Sequence, residues 1–229
     1  RLTDELAHTA WRQFQSIEAQ GGMAAVLASG WAAREVERTW SARLANLARR
    51  RDPLTGVSEF PDLTDPAPTA SSDLADPAPT ASPGLEAGPS PFPLRRLAAP
   101  FEALRDAADR APARPRIFLA NLGPIATHAA RAGFATNLFA VGGIEAVGND
   151  GFDTPAAAAE AFRASGASLA VICSSDAVYG LSGEEAARQL VDAGAISVYL
   201  AGNPGEARTA YERAGIDEFV YAGCDVLDV

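Results

Sequence analysis

Lysine is missing from this chain, because all 19 of its basic residues are arginine. That excludes any chemistry needing an amine: Schiff bases, the lysine of a phosphate-binding loop, a lysine acid or base. Cysteine is nearly as scarce. Cys173 and Cys224 are too few for a disulfide framework and read as two reduced thiols of a cytoplasmic protein. Cys173 falls inside an apolar strand pattern, which points to packing rather than to a nucleophile. No apolar run is long enough to span a bilayer, and the polar, amphipathic opening RLTDELAHTAW is not a signal peptide. No methionine begins the chain and a helix is already under way there, which reads as a fragment of a longer protein.

What is present is an ordinary hydrophobic share of 48% and a formal net charge of -10. Such a charge repels nucleic acid and anionic membrane surfaces. At 229 residues the chain has room for one full domain and a substantial second piece.

Three regions follow one another. Residues 1–61 read as helical: Leu6, Ala10, Trp11, Phe14 and Ile17 recur at helical spacing, and Gly21-Gly22 makes a stop. Further helices are expected over Met23–Ala28 and Ala32–Arg50, the latter with Val36, Trp40, Leu44 and Leu47 on one stripe. So little chain cannot close a core around three tryptophans, so these helices read as the end of a larger domain. Residues 62–93 read as a disordered or polyproline-like linker. There DLTDPAPTASS is followed by DLADPAPTASP, a repeat of period 11 whose composition cannot bury enough apolar surface to offset ordering. A lead-in helix, PFEALRDAADRA, is expected within residues 94–113.

Residues 114–229 alternate between strand and helix patterns. Strands are expected over 116–122, 143–148, 168–175, 196–202 and 217–223. Helices are expected over Ile125–Phe139, Thr154–Ala164, Ser182–Ala193 and Pro204–Ala214. Thr154-Pro155 reads as an N-cap with proline at the first helical position, Ser182-Gly-Glu-Glu185 reads as a capping box, and Gly166, Gly194 and Gly215 close helices. This predicts an α/β domain: a flavodoxin-like, doubly wound, parallel five-stranded sheet of order 2-1-3-4-5. Ligands of such sheets lie at the carboxyl ends of the strands near the switch point, here Leu122–Thr127, Cys173–Ala177 and Ala201–Pro204.

The turn NLGPIAT carries no dinucleotide fingerprint, and a phospho-receiver site lacks both its acidic cluster and its lysine. Gly180-Leu-Ser182-Gly183 is not a nucleophile elbow, and Ser182 is expected to cap a helix. Asp150, Asp153 and Asp176 have no histidine or paired carboxylate placed beside them, so they read as solvated loop acids.

The segments FQSIEAQGGM, LTGVSEFPDL, PFEALRDAADRA and RIFLANLGPIATHAARAGFATNLFAVGGIEAV together resemble the methylmalonyl-CoA mutase family, and within it the small subunits of two-chain bacterial enzymes. The resemblance covers all but the repeat linker. It implies an N-terminal TIM barrel that binds the acyl-CoA, of which residues 1–61 would be the last helices, and a cobalamin-binding-type domain over 114–229. Family catalytic chains carry Asp-x-His-x-x-Gly after the first strand, the histidine being the lower ligand of cobalt and the aspartate polarising it. Laid on this sequence, those three positions hold Ile125, Thr127 and Ala130. His128 is displaced by one residue, which on a helix turns a side chain by about 100°, and it reads instead as a helix-face residue or subunit contact. Ser174 and Ser175 stand where the family's serine meets the cofactor's nucleotide tail, and the Gly-Gly beside that tail is reduced to Gly202-Asn203. The resemblance therefore implies a non-catalytic chain with no catalytic or metal-binding residue of its own. Its partner would be a large catalytic subunit, with adenosylcobalamin bound there and not here, interconverting methylmalonyl-CoA and succinyl-CoA. Two alternatives stand beside this: a cobalamin-binding isomerase subunit that uses His128, and a free-standing α/β binding module.

Overall fold

Alternate residues of each central strand point to opposite faces, and in this chain both faces are apolar, as a parallel sheet covered on both sides requires. The computed structural model describes residues 1–64, Phe92 and 95–229. The linker expected over 62–93 lies, apart from 62–64 and Phe92, outside the described residues. By their contacts the described residues form two units, 1–44 with Phe92 and Arg95, and 45–64 with 96–229.

The first unit is built from α1 (Leu2–Ala19), α2 (Gly22–Ala28) and most of α3 (Trp31–Ala48). No residue of α1 is buried. Trp11 and Phe14 stack on each other with ring centroids 5.3 Å apart, yet Trp11 stays 59% exposed. Val26 on α2 is buried. The Arg95 guanidinium lies over the Trp40 ring and pairs with Glu37, and its hydrogen bond holds the Glu37 carboxyl below its usual range.

In the second unit, α4 (Ala99–Arg110) leads into β1 (Arg116–Asn121). Then come α5 (Ile125–Val141), β2 (Glu145–Val147), α6 (Pro155–Ser165), β3 (Leu169–Cys173), α7 (Asp176–Asp192), β4 (Ser197–Ala201), a 3-10 turn at Gly205–Ala207, α8 (Arg208–Arg213) and β5 (Glu218–Val220). All five strands are parallel in the order β2-β1-β3-β4-β5, the expected flavodoxin-like arrangement. Phe118, Ala120, Ala170, Ile172, Val198 and Leu200 face α6, α7 and α8. Their neighbours Ile117, Leu119, Val171, Cys173 and Ala201 face α5 and Phe101 of α4, a layer that Leu47 also joins. Thr154 caps α6 as expected, its hydroxyl accepting from the Ala157 N–H at 3.2 Å, and Gly166 ends that helix in the left-handed region.

Ser182 corrects the sequence reading. It does not cap a helix but lies inside α7, where its hydroxyl donates to the Val178 carbonyl at 3.2 Å. The helix starts two turns earlier, with Ser175 as its cap accepting from the Val178 N–H. Gly180 and Gly183 look like breaks in the sequence, but Gly183 is there for packing: a Cβ on it would stand 3.3 Å from the Tyr211 ring. Burial of α7 against α8 outweighs the cost of about 1 kcal/mol for a mid-helix glycine.

Candidate functional site

In the order β2-β1-β3 the chain reverses direction across the sheet between β1 and β3. The helix after β1 therefore lies on one face and the helix after β3 on the other, which opens a crevice at the carboxyl edge. Three loops border it: Leu122–Pro124, Ser174–Ser175 and Gly202–Pro204.

The ends of β3 and β4 are tied together by one phenol. The Tyr179 hydroxyl accepts from the Ser174 N–H at 2.8 Å and reaches the carbonyls of Ala201 at 2.8 Å and Ile172 at 3.1 Å. Burial pushes the Tyr179 hydroxyl above its ordinary value, so it keeps its proton to donate. Ser174 is wholly buried and its Oγ donates to the Leu122 carbonyl at 2.7 Å. With Ser175 capping α7, both serines are engaged by the protein itself.

Arg131, on the second turn of α5, reaches across the crevice to the opposite helix. Its guanidinium lies over the Tyr179 ring, 4.9 Å from the centroid, and Nη2 donates to Asp176 Oδ1 at 2.5 Å. A Cβ on Gly202 would stand 2.8 Å from Nη1, so the bare backbone there is already faced by arginine. Burial works against the Arg131 charge, but the hydrogen bond to Asp176 and the contact with Tyr179 outweigh it and hold the group above its usual value. Asp176 is thus a helix residue with a partner, not a free loop acid, although its side chain is 82% exposed.

The three positions implied by the resemblance lie together on the first turns of α5. Ile125 and Ala130 are exposed. Thr127 Oγ1 donates back to the Pro124 and Leu122 carbonyls, at 2.7 and 3.2 Å. His128 stands on the inward face of α5 and is only 3% exposed, so it is not a surface contact of this chain. Its Nε2 lies 3.4 Å from the Asp150 carbonyl oxygen, and a Cβ on Gly151, whose φ is +107°, would stand 2.8 Å from that nitrogen. The loop over the ring is fastened by Asn121 and Asn149. Asn121 Nδ2 donates to Asn149 Oδ1 at 3.2 Å, Asn149 Nδ2 donates to the Leu119 carbonyl at 2.7 Å, and the Gly151 N–H donates to Asn149 Oδ1 at 3.1 Å. Asp150 and Asp153 are exposed beside it, and no cluster of metal-binding side chains occurs among the described residues. These residues do not fit a histidine-ligated cobalt: the ligand position is a threonine bonded to its own turn, and the only nearby imidazole is enclosed.

Sequence reasoning missed Arg131, Tyr179, Asn121 and Asn149. The available signals were weak: one charged residue within HAARAGFA and one amide ending the apolar strand RIFLAN.

Comparison with known proteins decides the family. The model of methylmalonyl-CoA mutase matches residues 1–136. This chain belongs to the methylmalonyl-CoA mutase family. It is 46% identical over 233 residues to the methylmalonyl-CoA mutase small subunit of Streptomyces virginiae, covering 100% of this chain and 35% of that protein. It is 39% identical over 230 residues to a probable methylmalonyl-CoA mutase small subunit of Mycobacterium tuberculosis, covering 99% and 34%. The small subunit of Propionibacterium freudenreichii subsp. shermanii is 34% identical over 236 residues, covering 99% and 34%. The chain spans about a third of the length of these relatives. Within the mutase family, then, the carboxyl edge of this sheet carries a set of residues bonded to one another.

Proposed function

We propose that this chain is the C-terminal part of a non-catalytic small subunit. Its partner is a large subunit that interconverts methylmalonyl-CoA and succinyl-CoA with adenosylcobalamin. Residues 1–61 are the closing helices of a TIM-barrel domain, 62–93 a linker, 94–113 a lead-in helix and 114–229 a cobalamin-binding-type domain that has given up its cofactor. The observation carrying this reading is Thr127: at the register of the cobalt ligand it has no imidazole, and its hydroxyl is bonded to Pro124 and Leu122. The enclosure of His128 beneath Gly151 weighs against the alternative ligand. Ala130 adds a methyl where the family pattern has a glycine. This chain's contribution is to complete the assembly around the large subunit.

Titration with cobalamin tests this, followed by absorption and spin spectra. The expected result is no nitrogen coordination from protein. A histidine-coordinated spectrum that disappears in His128→Ala would overturn the reading. The full-length protein should also copurify with a larger chain carrying Asp-x-His-x-x-Gly.

A further inference from the structure

We propose that Arg131 is the built-in occupant of the switch-point crevice and the residue that excludes external ligands from it. This rests on the reading above that the chain holds no cofactor of its own. Four observations converge. First, the topology makes this crevice the place where a doubly wound sheet takes its ligand. Second, Arg131 starts from the helix on one face and ends against the helix on the other, so its side chain crosses the crevice. Third, the guanidinium packs into a slot floored by the Tyr179 ring, 4.9 Å from its centroid, and flanked by the backbone of Gly202, which itself abuts that ring. Fourth, Nη1 is buried without a hydrogen-bond partner, although the Arg131 side chain as a whole is 28% exposed.

The last point separates this role from that of a surface ion pair. Asp176 is largely in water, and an exposed pair of this kind contributes little. An arginine held only for that pair would keep both forks of the guanidinium in solvent. Here one fork is pressed into the protein, and stacking on an aromatic ring orients the group. The arginine does what a bound planar ligand would do: it fills the slot and covers the phenol that ties the carboxyl ends of β3 and β4 together.

The same slot should accept a small planar molecule once the side chain is cut back, as apolar cavities made by truncation do. N-ethylguanidinium reproduces the part removed by Arg131→Ala, and benzimidazole is a neutral flat probe. Thermal melts of the 229-residue chain are recorded with each probe at millimolar concentration, with ethylammonium as a charged but non-planar control. The expected result is a saturable rise in the melting midpoint of Arg131→Ala with at least one planar probe. The unsubstituted chain and Arg131→Met, which keeps the bulk, should show none. Equal shifts in the unsubstituted chain, or a folded Arg131→Ala that responds to neither probe, overturn the proposal. If Arg131→Ala does not fold, Gly202→Ala decides. Its added methyl must displace Nη1 as well as crowd the Tyr179 ring at 3.3 Å, so it should lower the melting midpoint of the unsubstituted chain more than that of Arg131→Met; equal shifts in both backgrounds overturn the proposal. Because neither probe contains cobalt, failure here is distinct from histidine-coordinated cobalamin in the unsubstituted chain, which would overturn the functional reading instead.

Discussion

The two regions of this chain put their apolar residues to different ends. Over residues 1–44 the helical stripe is formed but not covered: Leu6 is 69% exposed, and α1 has no buried residue. In the α/β unit each central strand is buried on both faces, and Leu200 is 1% exposed. The helical stripe of residues 1–44 is clearly periodic, so periodicity alone does not make a core. What differs is whether a second layer exists to receive the apolar face, which two-sided strands obtain from helices on both sides. A single helix of 18 residues owes most of its stability in a protein to such packing.

The sharpest way to break this comparison is a pair of truncations. Leu200→Ala removes atoms from a closed core and should cost about 2–5 kcal/mol of unfolding free energy in denaturant titration. Leu6→Ala removes the same atoms from an exposed stripe and should change it by less than about 0.5 kcal/mol. Comparable losses at the two positions would mean that α1 is covered after all.

A smaller effect probes how the α/β unit holds its carboxyl edge. Tyr179→Phe deletes the hydroxyl that accepts from Ser174 and bridges to β4, leaving a buried N–H without a partner. The expected loss is about 1–3 kcal/mol by the same titration. An unchanged midpoint would mean that the phenol ties nothing together.

A last effect, confined to alkaline pH, concerns a buried thiol. Burial pushes the Cys173 thiol from an ordinary 9.0 up to about 12. The folded chain therefore binds this proton more tightly than the unfolded chain. The stability linked to it is intact below about pH 9 and is lost as pH rises from there toward about 12. Melting midpoints should be flat from neutrality to about pH 9 and then decline, less steeply in Cys173→Ala than in the unsubstituted chain. Identical alkaline slopes would remove Cys173 from the account.

Much of the fold could be read from the chain because its signals are local. Strand alternation, Thr154-Pro155 and the glycines after helices each act within a few residues, and the strand order follows from the rules of parallel connections. The candidate site was only half legible. Ile125, Thr127 and Ala130 could be placed by register, since they lie at fixed offsets within the first turns of one helix. Arg131 could not, because its partners Tyr179 and Asp176 lie 48 and 45 residues further along and meet it only across the sheet edge. The burial of His128 could not be read for a similar reason: its ring is covered by the Asn149–Gly151 loop, fastened by amide hydrogen bonds. Ser182 shows the opposite failure, a local capping pattern overridden by packing of Gly183 on Tyr211.

Amide hydrogen exchange on the intact chain tests the central contrast most directly, because it reads both regions in one molecule. The account predicts that amides of β1, β3 and β4 exchange slowest, by global opening, while those of α1 exchange near the rate of a fraying helix. If α1 amides were protected as strongly as those of β3, the first region would have a closed core of its own, and the contrast drawn here would be wrong.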